Sequence, residues 1–183
     1  MDKYKEARLK YKPDKIKFLL VAESPPINPN SYFYFEDMTK NDGFYLEIMN
    51  ALYCNERFEP NFLRENKRTF LNCFKRDGFY LIDACEKPIE LSHVSYKKKK
   101  IQESLPDLKK RLSYLICPDT KIILIVASVY DACIQELKSK GYCVNNEQSI
   151  PFPGFGNQNK FRKRLIPLLQ KHGWVKGDCS PNQ

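Results

Sequence analysis

Three stretches of the sequence set side chains that can do chemistry beside residues that break regular structure. The first is Glu23-Ser24-Pro25-Pro26-Ile27-Asn28-Pro29, directly after the apolar run 16–22. A carboxylate at the end of a buried strand is partly withdrawn from water, which fits it for general-base work. The plainer alternative makes Glu23 an acceptor for loop amides. Just downstream, Tyr32-Phe33-Tyr34-Phe35 offers flat rings in a loop rich in Pro and Asn, the kind of surface on which a nucleobase stacks. The alternative turns alternate rings inward as core.

The second stretch is Asp83 to Pro88, and the third is Pro151-Phe-Pro-Gly-Phe-Gly156-Asn157-Gln158-Asn159-Lys160. In the third, glycines allow close approach of backbone to a ligand, and Asn157 caps a helix whose free amides can hold an anion. Lys160, Arg162, Lys163 and Arg164 then add positive charge to that helix start. No GxxxxGK[ST] phosphate loop occurs, and an ordinary cap with a solvated basic face is the competing account. The run Lys97-Lys98-Lys99-Lys100 can follow a phosphate backbone without reading sequence, or it is simply a solvated face. His93 is near it, a proton carrier or a structural side chain.

These loops need a scaffold that brings them together. The runs 16–22, 78–83 and 121–127 are short and almost wholly apolar, as strands covered on both faces are. A fourth strand is expected near Tyr142 to Ile150, interrupted by Asn145-Asn146. Between the strands lie helical patterns. Asp42 caps one carrying Phe44, Ile48, Ala51 and Leu52, and Pro60 opens another carrying Phe62, Leu63, Phe70 and Phe74. Leu105, Leu108, Leu112, Leu115 and Ile116 mark a third, stopped by Pro118, and Ser128 caps a fourth over 129–140 that Gly141 closes. A last helix runs from about Gln158 to Lys171, with Pro167 expected to kink or shorten it. Segment 2–15 reads as an extra helix or a basic arm, and 176–183 as a frayed tail. Alternating strands and helices give a three-layer α/β domain with a mainly parallel four-stranded sheet, whose ligands bind at the carboxyl ends of the strands.

The chain has 183 residues, 42% of them hydrophobic, enough for one core and too few for two ordinary domains. Its 31 Lys and Arg against 22 acidic residues leave a net charge of +9, which favours a polyanion or an anionic substrate. No apolar run approaches a membrane span and residues 1–12 do not form a signal peptide, so a soluble cytoplasmic protein is expected. The seven cysteines form no CxxC pair and read as reduced, mostly buried thiols. Two histidines without ligand spacing give no metal site.

Phe18-Leu-Leu-Val-Ala-Glu23-Ser24-Pro25, followed by Asp42-Gly-Phe-Tyr-Leu-Glu-Ile-Met-Asn-Ala-Leu52, resembles the opening of the uracil-DNA glycosylase superfamily. Gly78-Phe-Tyr-Leu-Ile-Asp-Ala-Cys-Glu-Lys-Pro88 is similar to that family's second strand and base-recognition loop, and Ile122-Ile-Leu-Ile-Val-Ala-Ser-Val-Tyr130 to its third strand. Pro151-Phe-Pro-Gly-Phe-Gly-Asn157 takes the place of its histidine-bearing loop. The resemblance spans roughly residues 16–170, by order and pattern more than by identity.

It implies a doubly wound fold that holds DNA on basic loops and reads a flipped base at the strand ends. Glu23 would orient the hydrolytic water, with Ser24 beside it. One of Phe33, Phe35 or Phe44 would stack on the base, and Asp83 would read its edge. Asn157, Lys160, Arg162 and Lys98 would contact DNA. An ionised Asp83 accepts hydrogen bonds but cannot donate one, and Phe152 stands where the family usually has histidine. The cysteines needed for an iron–sulfur cluster are missing, and no cofactor is expected. The function expected is hydrolysis of the N-glycosidic bond of a damaged or deaminated base by a monomer. The alternatives are a non-catalytic nucleic-acid- or nucleotide-binding module on the same fold, or an enzyme acting on a small anionic substrate at the Asn157 helix start.

Overall fold

The computed structural model describes residues 3–37, 42–54, 57–90, 93–154 and 156–179. Its centre is β1 (Phe18–Ala22), with β2 (Phe79–Asp83) on one side and β3 (Lys121–Leu124) on the other, all parallel, in the order β2-β1-β3. Every residue of β1 and β2 is buried, as their unbroken apolar runs require. Between β1 and β2 come α2 (Gly43–Tyr53), α3 (Pro60–Glu65) and α4 (Lys67–Arg76), and α5 (Val94–Leu115) leads from β2 to β3. The two crossovers step across the sheet in opposite directions, so right-handed connections put α2–α4 and α5 on opposite faces. After β3 come α6 (Ala127–Ser139), which packs on α5, and α7 (Gln158–Lys171), which packs on α2.

The expected fourth strand is a correction. Among the described residues, segment 142–150 forms no strand and pairs its backbone at two isolated parallel bridges, Val144 to Ile122 of β3 and Ile150 to Ile125 just past it. Three steps along β3 are matched by six along the partner, so the residues around Asn145-Asn146 loop out of register. The Asn146 amide takes over the missing ladder: its Oδ1 accepts from the Leu124 N–H at 3.0 Å and its Nδ2 donates to the Leu124 carbonyl at 3.1 Å. On the opposite edge the Tyr34 hydroxyl accepts from the Leu81 N–H at 2.7 Å and donates to the Leu81 carbonyl at 3.0 Å. Each sheet edge is thus closed by one side chain with both a donor and an acceptor, which blocks strand addition there.

Other boundaries moved for identifiable reasons. The helix expected from Pro60 is two helices meeting at Asn66. α5 starts eleven residues before its first leucine, so Lys97–Lys100 are helical, and it runs through Pro106. α7 keeps its expected limits and continues past Pro167. Segment 3–10 is a helix, α1 (Lys3–Lys10), docked through Tyr4 on Phe35 and through the buried Arg8.

The expectation of reduced thiols is also corrected, and that of a frayed tail is corrected for residues 176–179, since Cys179 is disulfide-bonded to Cys73 of α4. Trp174 is buried against the edge of the Phe79 ring, so residues 174–179 fold back on the core. A sequence separation of 106 hid that pairing. Cys54, Cys85, Cys117, Cys133 and Cys143 are free. Residues 180–183 and Phe155 lie outside the described residues. Among the described residues no helix is long and apolar enough to cross a membrane.

Candidate active site at the carboxyl edge of the sheet

Glu23 is the first residue beyond β1, and its carboxylate is held from two sides. Lys97, in the second turn of α5, donates to Oε1 at 2.6 Å. Ser128, the second residue of α6, donates its hydroxyl to Oε2 in a short bond. Ser128 therefore orients Glu23 rather than capping its helix. The turn that delivers it is strained: Val126 adopts φ 76°, ψ 135°, where a β-branched residue costs on the order of 1–3 kcal/mol. The Val126 N–H is anchored on the Ile150 carbonyl at 2.8 Å.

Asp83 ends β2, in register with Ala22. The chain continues the ladder beyond it, the Ala84 N–H bonding the Ala22 carbonyl and the Cys85 N–H the Glu23 carbonyl. Asp83 is 3% exposed and its Oδ2 has no hydrogen-bond partner. Burial pushes its carboxyl up to about 7, only partly offset by the guanidinium groups of Arg8 and Arg111. Arg111 also pins the loop, donating to the Asp83 and Ala84 carbonyls at 2.8 Å each. Arg8 bonds Glu86 at 2.9 Å. Two carboxylates, one ending β2 and one just past β1, thus lie at the carboxyl edge of the sheet, one facing an ammonium group and a hydroxyl, the other with an oxygen unsatisfied.

The aromatic residues divide. Phe33 is core, packed edge-on against Tyr45 and tilted against Phe74. Phe35 stacks on Tyr4 at 5.7 Å. Phe44, at the start of α2, stacks at 5.6 Å on Phe152, which is 43% exposed. A Cβ at Gly154 would sit 2.9 Å from the Phe152 ring, so glycine is what lets that ring lie against its own loop. Of the three rings proposed for base stacking, Phe44 alone meets an exposed partner ring.

The remaining sequence candidates are scattered by their pairings. Ser24 is partly buried beside Glu23. Asn157 occupies the cap position of α7 but makes no side-chain cap bond, and both it and Lys160 are exposed. Arg162 is committed elsewhere: with Arg57 it clamps the buried Glu47. Asp42, expected as a cap, pairs with Arg64 at 2.7 Å. Lys98 is exposed on α5, one residue from Lys97. Sequence reasoning missed Lys97 and Ser128 as partners of Glu23, and Arg111 altogether. The available signal for Ser128 was its place just past the third strand, at the same sheet edge as Glu23. Among the described residues no three His, Cys, Asp or Glu side chains are grouped to hold a metal ion.

Comparison of the chain with protein-family models, with curated proteins and with solved structures returns no match.

Proposed function

We propose that this protein binds DNA and hydrolyses the N-glycosidic bond of a damaged or deaminated base, as the resemblance to the uracil-DNA glycosylase superfamily implies. The observation that carries this reading is the pair Glu23 and Asp83 at the carboxyl ends of β1 and β2, in contrasting environments. Glu23, paired with Lys97, orients a water and faces the cationic sugar that develops as the bond breaks. Ser128 fixes the rotamer that does so.

Asp83, its carboxyl pushed up to about 7, carries a proton in about half of the molecules at that pH, and a neutral carboxyl offers a hydroxyl donor beside a carbonyl acceptor. That is the pairing a lactam edge such as uracil requires, and it removes the objection raised by an ionised aspartate. Phe44 with Phe152 supplies the aromatic surface, and Lys98 and Lys160 supply exposed positive charge for the phosphates. Ser24, next to Glu23, lines the same loop.

The test is incubation with labelled oligonucleotides carrying uracil, hypoxanthine, xanthine or no lesion, followed by alkaline cleavage. Excision that disappears in Glu23→Gln is expected. One observation favours a second reading, a binding module without turnover: both oxygens of Glu23 already have partners. It predicts lesion binding with no cleavage in any arm.

A further inference from the structure

Along the β3 side of the molecule, segment 145–150 and α7 enclose a groove of about 220 Å³, across β1 from Asp83 of β2. Its two walls differ in kind. The α7 wall carries Lys163, Arg164 and Lys171, and the opposite wall carries the amides of Asn145 and Gln148. Ile150, Pro167 and Leu168 give it apolar surface. Glu147 is its one carboxylate, 82% exposed and paired with Lys171 at 3.1 Å, a contact that water and salt weaken.

We infer that this groove holds one nucleotide of a single DNA strand, with the phosphate on the α7 wall, the base edge on the amide wall and the sugar over the apolar surface between them. The inference rests on the reading of the chain as a nucleic-acid protein and extends it, giving the strand a path out of the active site.

Four observations carry it. Lys160, Arg164 and Lys171 recur on one face of α7 at helical spacing, with Lys163 beside them, so the positive stripe starts at the carboxyl-edge loop and leads into the groove. Lys163 to Lys171 spans about 12 Å at about 1.5 Å per residue. Arg164 is held in the wall by the Ser149 carbonyl. Asn145 Oδ1 is buried without a donor, while its Nδ2 only grazes Cys143 Sγ at 3.9 Å. That oxygen is closed off from the groove, and a base edge on this wall meets instead the exposed Gln148 amide, which both donates and accepts. A duplex shows its base edges only on the floor of its own grooves, which a projecting element enters and a concave groove such as this one does not. The shape of the groove therefore selects an unpaired strand.

The experiment is fluorescence anisotropy of a labelled single-stranded oligonucleotide and of its duplex, titrated at several salt concentrations with the parent protein and the Lys163→Ala/Lys171→Ala variant. Both lysines are exposed, so the variant should melt as the parent does. The inference expects about 10-fold weaker single-strand binding at low salt and a log–log salt slope shallower by about 1.4, about 0.7 for each lost phosphate contact. Duplex binding should be unaffected. Unchanged single-strand affinity and slope would overturn the groove assignment and leave the proposed function standing. An equal loss for duplex would overturn the single-strand assignment. Inorganic phosphate that displaces the oligonucleotide from the parent protein at stoichiometric excess would make the groove a free-anion site instead. If the parent binds neither oligonucleotide, both the groove assignment and the proposed function fall.

Discussion

Glu47 and Asp83 are both carboxylates in the core, each 3% exposed, and their surroundings are completed in different ways. Glu47 is clamped by Arg57 at 2.5 Å and by Arg162, one guanidinium on each oxygen. Asp83 has two arginines nearby as well, but Arg111 gives its N–H groups to backbone carbonyls and Arg8 bonds Glu86, which leaves Oδ2 without a donor. A saturated buried carboxylate ties elements together, here α2 to α7. An unsaturated one at the end of an edge strand keeps hydrogen-bonding capacity that the fold leaves unused. The same residue types therefore yield a structural brace in one place and a candidate reading group in the other, and what separates them is where the donors point.

At the sheet edge that holds the unsaturated carboxyl, removing the Glu23 carboxylate should give the largest effect. Glu23→Gln is expected to slow base excision at least ~100-fold while leaving the thermal melt close to that of the parent, as read by single-turnover cleavage. At the saturated site, Glu47→Ala leaves Arg162 facing a partly buried void and Arg57 without its anchor. It should cost about 2 kcal/mol of stability by urea denaturation, discounted for the exposure of Arg57, with oligonucleotide binding retained.

Asp83→Asn should act in the opposite direction. Because burial raises the folded pKa above that of an unfolded aspartate, the folded form holds its proton more tightly. The stability Asp83 contributes is therefore full at low pH and is lost as pH climbs toward about 7. The asparagine variant should be more stable than the parent by about 1–3 kcal/mol at pH 8 and no more stable near pH 4, seen in paired urea titrations. The smallest effect belongs to the strained turn: Val126→Gly relieves φ 76° and should change stability by less than about 1 kcal/mol, because relief of strain and the added chain entropy of glycine oppose each other. If Val126 positions Ser128, that variant loses kcat while its melt stays put.

Much of the scaffold was legible because burial writes itself into composition. The three apolar runs became the three strands, and the α7 limits followed from Gln158 and the spacing of Phe161, Leu165 and Leu169. The fourth strand misled because Val144 and Ile150 are genuine β3 neighbours, whereas the Asn146 side chain does between them what a strand backbone would do. Propensity cannot show a side chain standing in for a ladder. In the site, Glu23 and Asp83 were marked by their positions at strand ends. Lys97 and Ser128 lie 74 and 105 residues from Glu23 in sequence, and only the closed fold reveals those pairings. Phe33 went to the core for a related reason: four consecutive aromatics do not announce which of them faces outward, and Tyr45 and Phe74 were waiting inside.

The central claim is that a neutral Asp83 reads a base that Glu23 helps to release, and the most direct measurement is the pH dependence of single-turnover excision by the parent protein and by Asp83→Asn. The account predicts that the parent loses activity as pH rises through about 7, while the asparagine variant, whose amide donates and accepts at every pH, keeps its rate across that range. Profiles that coincide, or an asparagine variant that excises nothing while the parent is active, would contradict it.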